Sequence, residues 1–208
     1  MDIRSIYRRY RFQGVVLNII MKFVELFGFK KFLLLRLMSI DLQNSQSASE
    51  WGPKSNGVKL LNYADIERYS AEDPVEMPPQ FLNFAEEMLQ YSHYKLFGYE
   101  IDGKLASFGW ICLDRYPLTD YFLKKKGAFL FKDYTMPEYR GKGLHRNITF
   151  ARLDYLRKIR YQIAYSSVAL YNEASYRGFL KCGMRRDGIY AKWGDEKIKM
   201  TLKHIFEK

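Results

Sequence analysis

A short basic, glycine-rich segment is the part of this sequence best suited to bind a phosphorylated ligand. It runs Met136-Pro137-Glu138-Tyr139-Arg140-Gly141-Lys142-Gly143, between a strand-like run and a helix-like run. Glycine allows the backbone to approach a phosphate closely, and the first N–H groups of a helix attract anions. With Arg140 and Lys142 adding positive charge, the segment predicts a pyrophosphate-binding loop. The alternative is a tight turn that needs glycine only for its backbone conformation.

The order of residues in this loop resembles a known nucleotide-binding motif, although not the two commonest ones. Neither GxxxxGK[ST] nor GxGxxG occurs in the chain. The loop instead resembles the acetyl-CoA motif of the GNAT superfamily of N-acyltransferases, [Gln/Arg]-x-x-Gly-x-[Gly/Ala]. Arg140 takes the first position and Gly143 the glycine position, whereas His145 stands where the family has Gly or Ala.

The resemblance implies that acetyl-CoA is the acyl donor and that the loop and the preceding strand bind it. His145, which is larger than the usual residue, is expected to narrow the loop or contact the phosphates. No metal is implied. The residues expected to bind the donor are Tyr134, Thr135, Arg140, Gly141, Lys142, Gly143, Leu144 and His145, with backbone groups around Thr135 pairing with the pantetheine amides.

A second stretch strengthens the resemblance. The residues 172–175 (NEAS), followed by 181–184 (KCGM), resemble the later GNAT motif, Asn-x-x-[Ala/Ser] and Gly-Phe. The resemblance implies that Asn172 and Phe179 also lie at the donor site. Phe179 stands where many members have the tyrosine that protonates the departing thiolate, and phenylalanine has no proton to donate. Tyr176, one helical turn earlier, or a water molecule is therefore the candidate acid.

Asp133 is the candidate general base. Alkylamines are mostly protonated at pH 7, so an acyl transfer to an amine benefits from a group that removes a proton. Strand alternation predicts that Asp133 shares a face with Phe131 and Thr135. The alternative is that Asp133 forms an ion pair with a neighbouring basic residue such as Lys132 or Arg140.

The elements that must position these residues follow a readable order from residue 57 onward. Hydrophobic periodicity and turn residues predict the order β-α-α-β-β-β-α-β-α-β-β, with Asp102-Gly103 as a hairpin turn. This order predicts an α/β domain with a mixed, mostly antiparallel sheet flanked by helices. The family resemblance adds that the sheet splays after the domain's fourth strand to admit the pantetheine arm. Strands are expected at 58–62, 94–101, 104–113, 128–136, 163–171 and on both sides of Gly194-Asp195, and helices at 63–70, 79–92, 144–159 and 174–182.

The first 42 residues differ from the rest of the chain. Basic residues outnumber acidic ones there, and apolar residues recur at spacings of three and four, which predicts a basic amphipathic helical segment. Its charges exclude a membrane-spanning helix. The segment 1–42 would lie on an anionic membrane surface, pack on the domain, or pack on a second subunit in a homodimer. Residues 43–56 are expected to be a linker, and residues 57–208 the acyltransferase domain.

The amino-acid composition limits the expected binding partners and the expected cellular compartment. The net charge is +11, with 34 basic and 23 acidic residues, which favours anionic partners. No nucleic-acid-binding motif is present. The two cysteines form neither a CxxC pair nor a disulfide framework. The resulting expectation is a cytoplasmic protein, which would be peripheral on the inner face of the membrane in the case where residues 1–42 bind lipid.

The GNAT resemblance implies an N-acetyltransferase that moves an acetyl group from acetyl-CoA to the amine of a small molecule by direct attack in a ternary complex. The N-terminal segment resembles that of bacterial members that acetylate amino-sugars or nucleotide-sugars for surface polysaccharides. Residues 114–126 and 79–92 are expected to contact the acceptor. Two alternatives stay open: an acyltransferase that uses acyl carrier protein or longer acyl-CoA donors, and a non-catalytic, membrane-associated binding module.

Overall fold

The computed structural model describes residues 32–45, 56–72, 79–117, 122–123 and 125–193. Within them the chain forms an α/β arrangement of one sheet and four α-helices, and a 3-10 turn precedes the third helix. The strands are β1 (Phe32–Asp41), β2 (Val58–Leu61), β3 (Tyr94–Ile101), β4 (Lys104–Leu113), β5 (Gly127–Thr135), β6 (Ile163–Ala169) and β7 (Arg185–Trp193). The helices are α1 (Tyr63–Glu72), α2 (Pro79–Leu89), α3 (Leu144–Lys158) and α4 (Glu173–Lys181), and the 3-10 turn is Pro137–Tyr139.

The strands form one sheet in the order β2-β3-β4-β5-β6-β1-β7. Neighbouring strands run antiparallel, except that β5 and β6 are parallel. Helices α1 and α2 cover one face, hereafter the α2 face, and α3 and α4 cover the other, hereafter the α3 face. The predicted mixed, mostly antiparallel sheet flanked by helices is therefore confirmed.

Strands β5 and β6 separate part-way along their length. Their pairing ends at Leu130 and Ser166, where the Ser166 hydroxyl donates a hydrogen bond to the Leu130 carbonyl at 2.9 Å. Beyond this point β5 continues beside β4 as far as Thr135, while β6 continues beside β1 as far as Ala169. The resulting gap, called the wedge below, leaves residues 131–135 without a partner on the β6 side among the described strands. The expected splay of the sheet is confirmed.

Strand β1 corrects the prediction that residues 1–42 form a helical segment outside the domain. Phe32–Asp41 is a strand in the sheet, between β6 and β7. Leu37 packs into the core of the α2 face and Met38 into that of the α3 face. A strand buried on both faces has an apolar run without alternation, so its sequence cannot be told from a buried helix by periodicity. The domain therefore includes this strand, and residues 1–31 lie outside the described residues.

Two other predictions fall largely outside the described residues. Of the expected linker, residues 46–55 are not described. Of the two expected closing strands, Arg185–Trp193 forms β7, and residues 194–208 are not described. Among the helices that are described, none is both long and apolar enough to cross a membrane.

Candidate functional site

The glycine-rich segment forms a loop between β5 and α3. After the 3-10 turn, Gly141 and Gly143 adopt left-handed conformations with φ of 84° and 78°, which cost glycine little and other residues more. A Cβ atom placed on Gly141 would have no atom within 4 Å. The space beside the loop is therefore open, and glycine at these positions serves the backbone path and not tight packing.

The N–H groups of this loop are available to a ligand. The N–H groups of Arg146 and Asn147 both donate to the Gly143 carbonyl, at 2.9 and 3.3 Å. No backbone N–H of residues 141–145 donates to another described residue. These groups lie at the positive end of α3, which has 15 residues. Their chemistry would suit the predicted pyrophosphate.

The two basic side chains of the loop lie close to aromatic rings. Arg140 Nε donates a hydrogen bond to the Thr135 carbonyl at 3.1 Å, and its guanidinium carbon lies 5.7 Å from the centre of the Tyr134 ring. Lys142 Nζ lies 5.0 Å from the centre of the Tyr139 ring. Arg140 thus ties the loop back to β5 and already occupies one carbonyl expected to face the pantetheine arm.

A β-bulge interrupts β5 beside the wedge. The register between β4 and β5 shifts so that Gly109 lies opposite both Lys132 and Asp133, which is the two-against-one arrangement of a bulge. Within the bulge, Lys132 adopts a positive φ of 49°. Asp133 then faces α3, whereas Phe131 packs on the α2 face. The prediction that Asp133 shares a face with Phe131 is therefore wrong, because the extra residue reverses the alternation.

Asp133 binds two basic side chains of α3. Its Oδ1 lies 2.6 Å from Nη1 of Arg152, and its Oδ2 lies 3.1 Å from Nε2 of His145. Arg152 is 0% exposed, and its Nη1 also donates to the Trp110 carbonyl at 3.0 Å. These three ionisable residues are called the Asp133 cluster below. The partner of Asp133 is thus Arg152, and not Lys132 or Arg140.

The surroundings of Asp133 set its protonation state. Burial disfavours the carboxylate, yet the nearby Arg152 guanidinium and the contact with His145 outweigh it, so the pKa of Asp133 lies below its ordinary value. Asp133 is therefore ionised at neutral pH. A carboxylate with a lowered pKa accepts a proton less readily than an ordinary one, which weakens it as a direct base.

Comparison with known proteins identifies the family. Residues 60–184 match the sequence profile of the acetyltransferase (GNAT) family. The chain belongs to the GNAT acetyltransferase family. No curated protein sequence matches the chain significantly.

Several solved structures have the same fold. A putative GNAT acetyltransferase from Novosphingobium aromaticivorans superposes with a TM-score of 0.54 at 19% identity, over 78% of this chain and 63% of that one. A GNAT acetyltransferase from Colwellia psychrerythraea gives 0.55 at 13% identity, over 84% and 60%. A conserved protein of unknown function from Staphylococcus epidermidis gives 0.52 at 13% identity, over 82% and 64%. The chain thus spans under two thirds of each of these structures.

The two departures from the GNAT motifs are in contact with each other. The rings of His145 and Phe179 meet edge to face, with centres 5.0 Å apart, and Phe179 is 1% exposed. A Cβ atom on Gly178 would lie 2.8 Å from Nδ1 of His145. The His145 ring therefore points toward Asp133 and α4, and not into the loop as expected. Its backbone N–H remains at the start of α3 with the other open N–H groups.

The other family residues lie at the start of α4. Asn172 caps this helix, since its side chain accepts a hydrogen bond from the Ser175 N–H at 3.2 Å. The Tyr176 ring is half-buried, and the guanidinium carbon of Arg36 lies 4.2 Å from its centre. Arg36 also forms an ion pair with Glu173 at 3.2 Å. Sequence reasoning missed Arg36 because it placed β1 outside the domain.

Leu144, the remaining residue expected at the donor site, has a buried side chain. Its contribution to the loop is therefore its N–H group. Among the described residues, no set of three or more His, Cys, Asp and Glu side chains could hold a metal ion.

Proposed function

We propose that this GNAT protein is an N-acetyltransferase that moves an acetyl group from acetyl-CoA to the amine of a small molecule. The observation that carries the proposal is the row of open N–H groups at residues 141–145, at the positive end of α3 and beside the wedge. A pyrophosphate bound there would place the rest of the donor where β5 and β6 separate. A tight turn without a binding role would not require open N–H groups at the start of a helix and beside a gap in the sheet.

The wedge supplies the groups that would hold the pantetheine arm. Residues 131–135 have backbone groups on the β6 side that no described strand satisfies, and buried backbone groups in proteins are almost always paired. Amides of the pantetheine arm have the matching donors and acceptors. Since Arg140 occupies the Thr135 carbonyl, these bonds would fall mainly to the neighbouring residues of β5.

The acceptor would approach from the α2 face, because α3 and the loop occupy the other side. On the α2 face, the half-buried rings of Phe84 and Phe131 lie 6.3 Å apart. The expected contacts with residues 79–92 are consistent with this position, since Phe84 belongs to α2. Of the other expected segment, residues 118–121 and 124 lie outside the described residues. We propose an amino-sugar or nucleotide-sugar as the acceptor, on the resemblance to polysaccharide enzymes.

Proton transfer would use Asp133 and Tyr176 in supporting roles. Asp133 lies on the opposite side of β5 from the acceptor and is paired with Arg152, so we propose that it removes the amine proton through a water molecule in the wedge. The neutral amine attacks the thioester carbonyl carbon and forms the new C–N bond, the C–S bond breaks, and the thiolate leaves. The nitrogen then releases its extra proton, which replaces the proton that the thiolate takes up. Thiolates need little help to leave, so protonation by the Tyr176 hydroxyl or by water is sufficient.

The decisive experiment tests the loop. We expect Gly143→Glu to lower the affinity for acetyl-CoA by roughly a hundredfold or more, which is about 2.7 kcal/mol, because it adds strain and negative charge among the open N–H groups. Gly103→Glu is a matched control, since Gly103 has a similar φ of 81° in the β3–β4 turn. Isothermal calorimetry measures both variants. Equal affinity of the wild type and Gly143→Glu would refute the loop assignment.

Membrane attachment is a separate proposal for residues 1–31. Their basic, amphipathic pattern would bind vesicles that contain anionic lipid. The comparison uses the full chain and a form that starts at Phe32, because a form starting at Gly57 would lack β1 from within the sheet. Equal flotation of the two forms would refute the proposal.

A further inference from the structure

Lys132 is the charged side chain that the bulge turns toward the α2 face. Its Nζ lies 4.0 Å from the centre of the Phe84 ring on α2, and the Phe84 ring lies 6.3 Å from that of Phe131. The residue is exposed. An ammonium group therefore lies over the Phe84 ring, just beyond the point where β5 separates from β6. Without the bulge, alternation would have put Asp133 on this side in place of Lys132.

The positive charge of Lys132 has no partner among the described residues that would neutralise it. The adjacent carboxylate, Asp133, is turned to the α3 face and is bound by Arg152 and His145. On the same side as Lys132, Arg140 lies 5.7 Å from the centre of the Tyr134 ring and adds a second positive charge. Two positive charges, those of Lys132 and Arg140, therefore lie on the side of the wedge that faces α2.

A positive, aromatic surface selects its ligand by charge. It attracts carboxylates and phosphates, and it disfavours a small molecule whose only charge is an ammonium group. The ring of Phe84 supports the Lys132 ammonium through a cation–π contact, so this group is already positioned before a ligand arrives. Such a surface suits a molecule that brings its own negative charge.

We propose that the acceptor is a small amine that also carries an anionic group, a carboxylate or a phosphate, and that Lys132 binds this group. The rings of Phe84 and Phe131 would contact the uncharged part of the acceptor. The inference rests on the proposed function, because it takes the amine to enter from the α2 face. Lys132 thereby becomes a residue that determines acceptor specificity.

The test compares acceptors in matched pairs at saturating acetyl-CoA. Phenylalanine against phenylalaninamide tests a carboxylate, and glucosamine 6-phosphate against glucosamine tests a phosphate. We expect the anionic member of at least one pair to have a kcat/KM about tenfold higher, or, where turnover is too slow, to bind the CoA-loaded protein about tenfold more tightly in calorimetry. The pair that responds identifies the anionic group.

Variants of Lys132 assign the preference to this residue. Lys132→Met should abolish the preference, because it weakens binding of the anionic acceptor, mainly by raising its KM, and leaves binding of the neutral acceptor unchanged. Lys132→Arg should keep the preference. Lys181→Met, at an exposed lysine of α4, is the matched control and should behave as the wild type.

The outcomes separate this inference from the proposed function. If the protein binds acetyl-CoA but shows no anionic preference in either pair, or keeps the preference in Lys132→Met, the inference is overturned and the proposed function stands. If the protein does not bind acetyl-CoA, both are overturned.

Discussion

The two faces of β5 at its bulge hold their charges in different ways. On the α3 face, Asp133 is enclosed between His145 and the fully buried Arg152, and each charge has a partner. On the α2 face, the adjacent Lys132 is exposed, and its ammonium group lies over the Phe84 ring without an ion pair among the described residues. One extra residue in the strand creates both environments.

This difference indicates which charged side chain can bind a ligand. A buried charge is costly to leave alone, so the Asp133 cluster is committed to holding α3 against β5. An exposed charge costs the fold little and remains available to bind. We therefore expect changes on the α3 face to alter stability, and changes on the α2 face to alter specificity.

The largest loss of stability is expected from a change on the α3 face. Asp133→Leu leaves the Arg152 guanidinium buried without its carboxylate, so the free energy of unfolding should fall by about 3–5 kcal/mol. Urea unfolding measures the change. The double variant Asp133→Leu/Arg152→Leu should recover a large part of the loss, because two apolar side chains leave no charge unpaired. A double variant as unstable as the single one would contradict this account of the cluster.

A smaller loss of stability is expected where α4 packs against the Asp133 cluster. Gly178→Ala places a methyl group 2.8 Å from Nδ1 of His145, and overpacking of this kind costs about 1–3 kcal/mol. Alanine also favours the helix by about 1 kcal/mol, so the net loss should be at the low end. In the His145→Ala background the same substitution should be neutral or stabilising, as thermal or urea unfolding would show. An equal cost in both backgrounds would mean that the two side chains do not interfere.

The pH dependence of stability should also depend on Asp133. Its pKa is lower in the folded protein than in the unfolded chain, so the unfolded chain takes up the proton first as the pH falls. This contribution to stability is present above about pH 4 and is lost below it, as the folded carboxylate is protonated. Unfolding free energies between about pH 5 and 3 should therefore fall more steeply in the wild type than in Asp133→Asn. Parallel curves would contradict the direction of the shift.

The smallest effect on stability is expected on the α2 face. Lys132→Met removes an exposed charge without an ion pair among the described residues, so the free energy of unfolding should change by no more than about 0.5 kcal/mol. The same variant is expected to change acceptor preference by about tenfold. A large loss of stability in Lys132→Met would remove the distinction between the two faces.

Local signals explain which parts of the fold the sequence predicted well. Strands β3 and β4 have the predicted bounds, because Asp102-Gly103 marks the hairpin turn and adopts positive φ values of 51° and 81°. The loop before α3 was also predicted, since the glycines and the helix start are adjacent in the chain. Each of these features depends on residues within a few positions of one another.

Features that depend on distant residues were not predicted. The bulge at Lys132 and Asp133 requires Gly109 on the neighbouring strand, where a Cβ atom would lie 2.8 Å from Nη1 of Arg152. The place of β1 in the sheet requires its pairing with β6 and β7. Neither requirement is visible in the sequence around the residues concerned.

Local sequence was enough to predict the family and the glycine-rich loop between β5 and α3, because the GNAT motifs and the turn residues act through local backbone geometry. The tertiary structure alone decided that β1 belongs to the sheet, that the unusual His145 packs on Phe179, and which charge of β5 faces which helix. These outcomes depend on how buried side chains are satisfied across the sheet. The Asp133 carboxylate pairs with the buried Arg152, whose charge would otherwise be unpaired, and the neighbouring Lys132 stays exposed to solvent or to a ligand.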